Sequence, residues 1–231
     1  MMILAALALA QTTSANTDVT RLVRQVRAAY ANCKAYRDFG TQVIWNVDSR
    51  GAKTIWGEWK FKTTFARPAQ IRLEVSERKG ASRWVSSVLW TIRKGQGSAP
   101  ANIHFGFDGS VEQVKELRAG FASLASLSFG IADRVPLLLV PSKDPFDLLD
   151  EHEWKKGSVE KVRGYDCELL RSHDSSVKLW IDKRTSLLVQ IQEQNDIGGG
   201  RRTLKEVFYR PTLNTQVQQN EFKGPDPSGK E

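Results

Sequence analysis

Two periodicities divide the chain. Val19, Leu22, Val23, Val26 and Tyr30 recur at helical spacing and predict an amphipathic helix over 19–31, with Asp18 placed to cap it. From Tyr36 the period becomes two. Val43, Trp45 and Val47 alternate with Gln42, Ile44 and Asn46. The clearest strand follows: Ile55, Trp59, Phe61 and Phe65 fall on one face, and Trp56, Glu58, Lys60 and Lys62 on the other. Ile71, Leu73 and Val75 then alternate with Arg72, Glu74 and Ser76, and Trp84, Val88, Trp90 and Ile92 share the face of a fourth strand. Alternation of this kind marks half-buried antiparallel sheet.

The pattern breaks once, between Ser110 and Leu149. Ser110 is placed to cap a helix from Val111 through Leu117, continuing to about Leu127, with Gly130 ending it. Pro136 opens a short apolar run, read as a second helix. Strands then resume through residues 152–156, 159–163, 165–171 and 204–209, with Pro211 to Phe222 as an extended edge. The strongest hairpin lies among them: Val177, Leu179 and Ile181 point one way and Lys178, Trp180 and Asp182 the other. After a turn, Leu187, Val189 and Ile191 line up on the return strand, which leaves Trp180 and Leu188 on the opposite face. Residues 1–15 read as a signal peptide, residues 16–223 as a single domain, and residues 224–231 as a disordered tail.

Composition changes this picture little. A chain of 231 residues with 40% hydrophobic and 26% charged residues fits one large all-β domain. The net charge of +8 is spread without a dense basic block, and the aromatics lie on strand faces rather than in a basic stripe, so nucleic-acid binding is not indicated. The apolar run from Ile3 to Ala10 is too short to span a bilayer, and no later stretch is long enough. With the small residues after it, that run implies export to a periplasmic or secreted, soluble state. Two cysteines in an exported chain, Cys33 and Cys167, are expected to form a disulfide, with a pair of buried thiols as the alternative.

Catalytic chemistry is not visible. His104, His152 and His173 have no second ligand at metal spacing, and His152-Glu153 lacks the further histidine of a zinc motif. No nucleophile elbow, phosphate loop or dinucleotide fingerprint occurs, and Asp144, Asp147, Asp150 and Glu151 read as a solvated acidic face. No enzyme, metal or cofactor is expected. The positive signal is apolar: Trp59, Phe61, Phe65, Leu73, Trp84, Val88 and Trp90 describe either a core or a hollow for an acyl chain.

Several motifs stand in a telling order: Tyr36-Arg-Asp-Phe-Gly, Thr64-Phe-Ala-Arg-Pro68, Ile71-Arg-Leu-Glu74, Val135-Pro-Leu-Leu-Leu-Val-Pro141, Gly164-Tyr-Asp-Cys167, Leu179-Trp-Ile-Asp182 and Phe208-Tyr-Arg-Pro-Thr-Leu-Asn214. This arrangement resembles the outer-membrane lipoprotein-sorting (LolA-like) superfamily. The resemblance implies a mainly antiparallel, half-open β-barrel with an N-terminal helix and a central helical lid insertion. It implies a cavity lined by the aromatic set with Leu179 and Ile181, and a lid carrying Leu22, Val26, Leu137 and Leu138. The function implied is an envelope carrier or binder of lipoprotein acyl chains or other lipids, acting without covalent chemistry. The alternative is an envelope sensor or interaction module of the same fold that binds a protein partner. Such carriers hold the closed lid with an inward arginine. Arg67 and Arg72 stand near the relevant strand positions, but Arg72 alternates away from the apolar face.

Overall fold

A computed structural model describes residues 2–68, 70–91, 100–140 and 148–225, with side chains from residue 17 onward. Ile92, most of the loop before Ala101, Asp144, Asp147 and the tail from 226 lie outside the described residues. Helix α1 (Met2–Asn32) precedes six strands: β1 (Ala35–Val47), β2 (Lys53–Ala66), β3 (Gln70–Lys79), β4 (Arg83–Thr91), β5 (Ala101–His104) and β6 (Val111–Val114). Helices α2 (Leu117–Ser128) and α3 (Val135–Leu139) follow. Then come β7 (Trp154–Val162), β8 (Tyr165–Ser172), β9 (Val177–Asp182), β10 (Leu188–Gly198), β11 (Arg201–Tyr209) and β12 (Thr212–Leu213).

The strands form one antiparallel sheet in the order β6-β5-β4-β3-β2-β1-β11-β10-β9-β8-β7, with β12 pairing beside β1. Each half is a meander. The first runs outward from β1 to β6; the second returns from β7 to β11 and joins β1, so Gly40 opposes Tyr209 and Trp45 opposes Leu204. The sheet curves without closing, and the helices connecting or preceding the two meanders lie in the concavity. The expected fold class is therefore the observed one.

The core is what that geometry requires. Leu22, Val26 and Tyr30 of α1 join Phe121 and Leu124 of α2, Val135 and Leu139 of α3, and the inward residues of the strands in one cluster. Leu22 and Val26 are buried, while Leu137 and Leu138 are partly buried against the same cluster. A second, smaller cluster of Cys167, Leu169, Trp180 and Val189 lies apart from the first, with Val162 and Tyr165 packed on it.

Several expectations are corrected. Helix α1 continues upstream of Asp18, because the Ala- and Leu-rich segment before it contains no Gly or Pro. Asp18 is thus no cap; it pairs with Arg21 at 3.4 Å and with Lys156 at 3.4 Å. Residues 111–114 are strand β6, since they pair with β5 (Ile103 opposite Glu112) before helix α2 starts. Ser110 donates to Asp108 in the preceding turn. The disulfide is absent: Cys33 and Cys167 are both free and buried, and they belong to different clusters. Leu188 lies in the main core, because a register irregularity falls between Leu188 and Gln190. Asp150 and Glu151 are not merely solvated; they pair with Arg27 at 2.6 Å and Arg134 at 3.6 Å.

Candidate lipid-binding concavity and its latch

Of the expected lining residues, Trp59, Phe61, Phe65, Leu73, Leu179 and Ile181 are buried in the main cluster beneath the helices. Trp84, Val88 and Trp90 are not among them. Strand β3 sets the register of β4: Leu73 opposes Leu89 and Val75 opposes Ser87, so the inward set is Ser87, Leu89 and Thr91. The three expected residues therefore share the outer face with Arg72, Glu74 and Arg78. There the ammonium of Lys60 sits 4.2 Å from the centre of the Trp84 ring, and Trp90 lies against Gly224. Strand β1 also turns the less apolar set inward: Tyr36, Asp38, Gln42 and Ile44 are buried. Trp45 faces out and donates its indole N–H to Glu206 at 2.9 Å.

The end of α2 is fastened to the concave face by residues that, Trp59 apart, the sequence reading did not single out. Phe129 caps α2 in the left-handed conformation (φ 49°), and the backbone there turns three groups toward the sheet. The Gln42 amide donates to the Ser128 carbonyl at 2.8 Å, and Lys205 donates to the Phe129 carbonyl at 3.3 Å. The Phe129 ring meets Trp56 at 4.7 Å and Trp59 at 5.2 Å. Five residues on, the Arg134 guanidinium donates to Glu193 at 2.9 Å, and Glu193 also pairs with Lys205. Burial acts to raise the Glu193 carboxyl, but the charges of Lys205 and Arg134 outweigh it and hold the group below its ordinary range. A cation also suits the carbonyl end of a helix. Glu193 and Lys205 oppose each other on β10 and β11, two residues along from inward Ile191 and Val207. A charged pair at inward positions of an otherwise apolar alternation was the readable signal.

Arg67, one of the two arginines considered for holding the lid, does contact a helix. It donates to the carbonyls of Cys33 at 3.2 Å, Tyr30 at 3.0 Å and Ala31 at 2.8 Å, at the end of α1. Arg72 pairs with Glu74 on the outer face. Between α2 and α3 a cavity of about 440 Å³ opens beside this latch, lined by Arg118, Phe121, Ala125, Asp133, Arg134 and Leu137 among others.

The concave face also carries polar atoms without partners among the described residues. Gln42 Oε1, Trp59 Nε1, Thr63 Oγ1 and Tyr209 Oη are buried and unpaired. Nearby, Asp38 accepts from the Tyr36 hydroxyl at 2.7 Å and from the Thr63 amide at 3.1 Å. Burial lifts its carboxyl to about 6 despite both bonds. The Leu188 amide donates to the Tyr30 hydroxyl at 3.1 Å. The concavity is therefore mainly apolar, with a few polar groups along β1, β2 and β11. No group of metal-ligating side chains occurs among the described residues, and none of their helices is long and apolar enough to cross a membrane.

No protein-family model and no curated protein matches the chain. Solved structures do. A DUF1329 family protein from Desulfovibrio piger is 13% identical over 89% of this chain and 97% of its own, with a TM-score of 0.39. The Pseudomonas aeruginosa MucA/MucB complex matches at 15% identity over 90% of this chain, which spans 61% of the matched one, with a TM-score of 0.45. A LolA superfamily protein from Nitrosomonas europaea is 8% identical over 89% of this chain and 97% of its own, with a TM-score of 0.33. A member of the superfamily that the sequence resembles is thus among the similar structures.

Proposed function

We propose that the protein is an exported, non-enzymatic carrier or binder of acyl chains, lipoprotein acyl chains among them, in the cell envelope. The observation that carries this reading is the concave face itself. Buried aromatic and aliphatic side chains line it, unpaired polar atoms are set among them, and it is covered by helices rather than by a second sheet. Each buried polar atom left unpaired costs on the order of 1–3 kcal/mol, a cost that an ester, amide or hydroxyl of a lipid would relieve. Transfer of an acyl chain into such a space contributes about 0.8 kcal/mol per methylene. To enter, such a chain exchanges its own burial for that of the apolar side chains by which the cover packs on the sheet, Leu22, Val26, Phe121 and Leu124 among them. A signal peptide over residues 1–15 is part of the same reading.

Native purification followed by solvent extraction and mass spectrometry should recover a lipid. A fluorescent fatty acid should bind the delipidated protein and bind Trp59→Asp more weakly. Absence of both the lipid and the probe signal would refute the carrier reading. A stable protein partner recovered without lipid would favour the interaction-module alternative instead.

A further inference from the structure

The outer face of the sheet holds a second candidate site, on the opposite side from the concavity. Phe39 and Thr41 of β1, Lys60 of β2, and Phe208 and Arg210 at the end of β11 project outward together, because Thr41 opposes both Lys60 and Phe208. With Arg163 and Tyr165 of the β7–β8 hairpin they line a groove of about 440 Å³, which Gly40 and the inward Phe61 and Tyr209 also border. Its volume lies in the range of small-molecule sites. The Phe39 ring is 56% exposed, which is a cost to an isolated domain in water.

The charges of this groove are one-sided. Arg163 stacks over Phe208 with its guanidinium carbon 3.5 Å from the ring centre, Arg210 lies 5.4 Å from Phe39, and Lys60 lies over Trp84. None of the three cations has a carboxylate partner among the described residues. The outward carboxylates two residues along the same strands, Glu58 and Glu206, are engaged by Arg78 and by the Trp45 indole. A guanidinium stacked by its face leaves its N–H edge free to receive a planar or tetrahedral anion. The hairpin tip adds a further observation. Arg163 has φ 48° and Gly164 φ 93°, a mirror-image turn for which Asn at the first position is the unstrained choice. A bulky arginine is held there against its backbone preference, with its charge directed onto the groove.

We propose that this groove binds the anionic group of a small amphiphile. Arg163 and Arg210 receive a phosphate or carboxylate, and an aryl or short apolar group lies along Phe39 and Phe208. The site does not depend on a lipid in the concavity, and it is tested with probes too short to stand in for one. In a ¹H–¹⁵N spectrum of the whole protein, phenyl phosphate should shift the amides of residues 39–41, 163–165 and 208–210. Benzoate should shift the same set, and the tighter of the two identifies which anion the site prefers. Arg163→Asn keeps the turn and should weaken binding about tenfold, as should Arg210→Gln. Arg50→Gln, at a distant exposed turn, should change nothing. The proposal is overturned if benzyl alcohol binds as well as the anions, if the shifts fall on the concave face instead, or if the two groove variants bind as the parent does.

Discussion

Asp38 shows how much one inward residue can decide. Its carboxyl is buried, accepts two hydrogen bonds, and still titrates at about 6 because burial disfavours the charge more than those bonds favour it. An unfolded aspartate titrates near 3.9, so between that pH and about 6 the folded chain holds a proton that the unfolded chain has lost. The folded state is favoured by Asp38 protonation below about pH 4, and that contribution disappears as pH rises through about 6. Two pH units correspond to about 3 kcal/mol. Asp38→Asn keeps an acceptor for the Thr63 amide and can donate to the Tyr36 oxygen. It should therefore be more stable than the parent at pH 7.5, and the gap should close as pH falls from 6 to 4. Urea unfolding of both proteins across that range reads the difference; parallel curves would contradict the buried-charge account. The Arg163 side chain makes the converse point, since nothing in its local pattern distinguishes it from any other turn cation. Its role follows only from a hairpin folding back over Phe208.

At the level of elements, the sequence specified strands better than it specified faces. Strand β2 reads correctly from Trp59 onward, where Trp59, Phe61 and Phe65 are inward, but a register irregularity that skips Trp56 leaves Ile55 exposed and sets Trp56 against Phe129. Strand β4 reads incorrectly because its rings suggested one face while pairing with β3 imposed the other. A one-residue change of parity moves every side chain across the sheet, and hydrophobicity alone cannot set it. Edge pairing likewise made a strand of residues 111–114 that local pattern assigned to a helix. Helix α1 illustrates attachment at an element's end. Arg67 satisfies the Tyr30 and Ala31 carbonyls of its last turn and the Cys33 carbonyl just beyond it, and lies 4.9 Å from the Phe65 ring. Arg67→Met would leave those carbonyls to water and remove a cation from the negative end of the helix, a loss of about 1–2 kcal/mol. The expected result is a lower urea midpoint with an unchanged slope, and early hydrogen exchange at residues 26–32. A variant as stable as the parent would show that the helix is held by its apolar stripe alone.

For the molecule as a whole, the open sheet poses a mechanical question that a closed barrel would not. The two meanders meet at β1 and β11, and the cover is fastened near that seam, at Gln42, Trp59, Glu193 and Lys205. The seam was readable from alternation and the inward Glu193–Lys205 pair was a signal of the latch, but their partners were not readable, because the contacts join residues 59 to 86 positions apart. If the cover must lift for an acyl chain to enter, the apparent affinity of the closed protein falls in proportion to the fraction that is open. Lys205→Gln removes the cation shared by Glu193 and the Phe129 carbonyl while Arg134 still pairs with Glu193. Weakening closure by about 1.4 kcal/mol should raise the open fraction, and with it the apparent affinity for a fluorescent fatty acid, about tenfold. Exchange of α2 amides should accelerate by the same factor, while amides of β9 and β10 keep their protection. Faster α2 exchange with unchanged probe affinity would place the entry route elsewhere on the sheet. Unchanged exchange would mean that the apolar contacts of Phe121 and Leu124, rather than the polar latch, hold the cover closed.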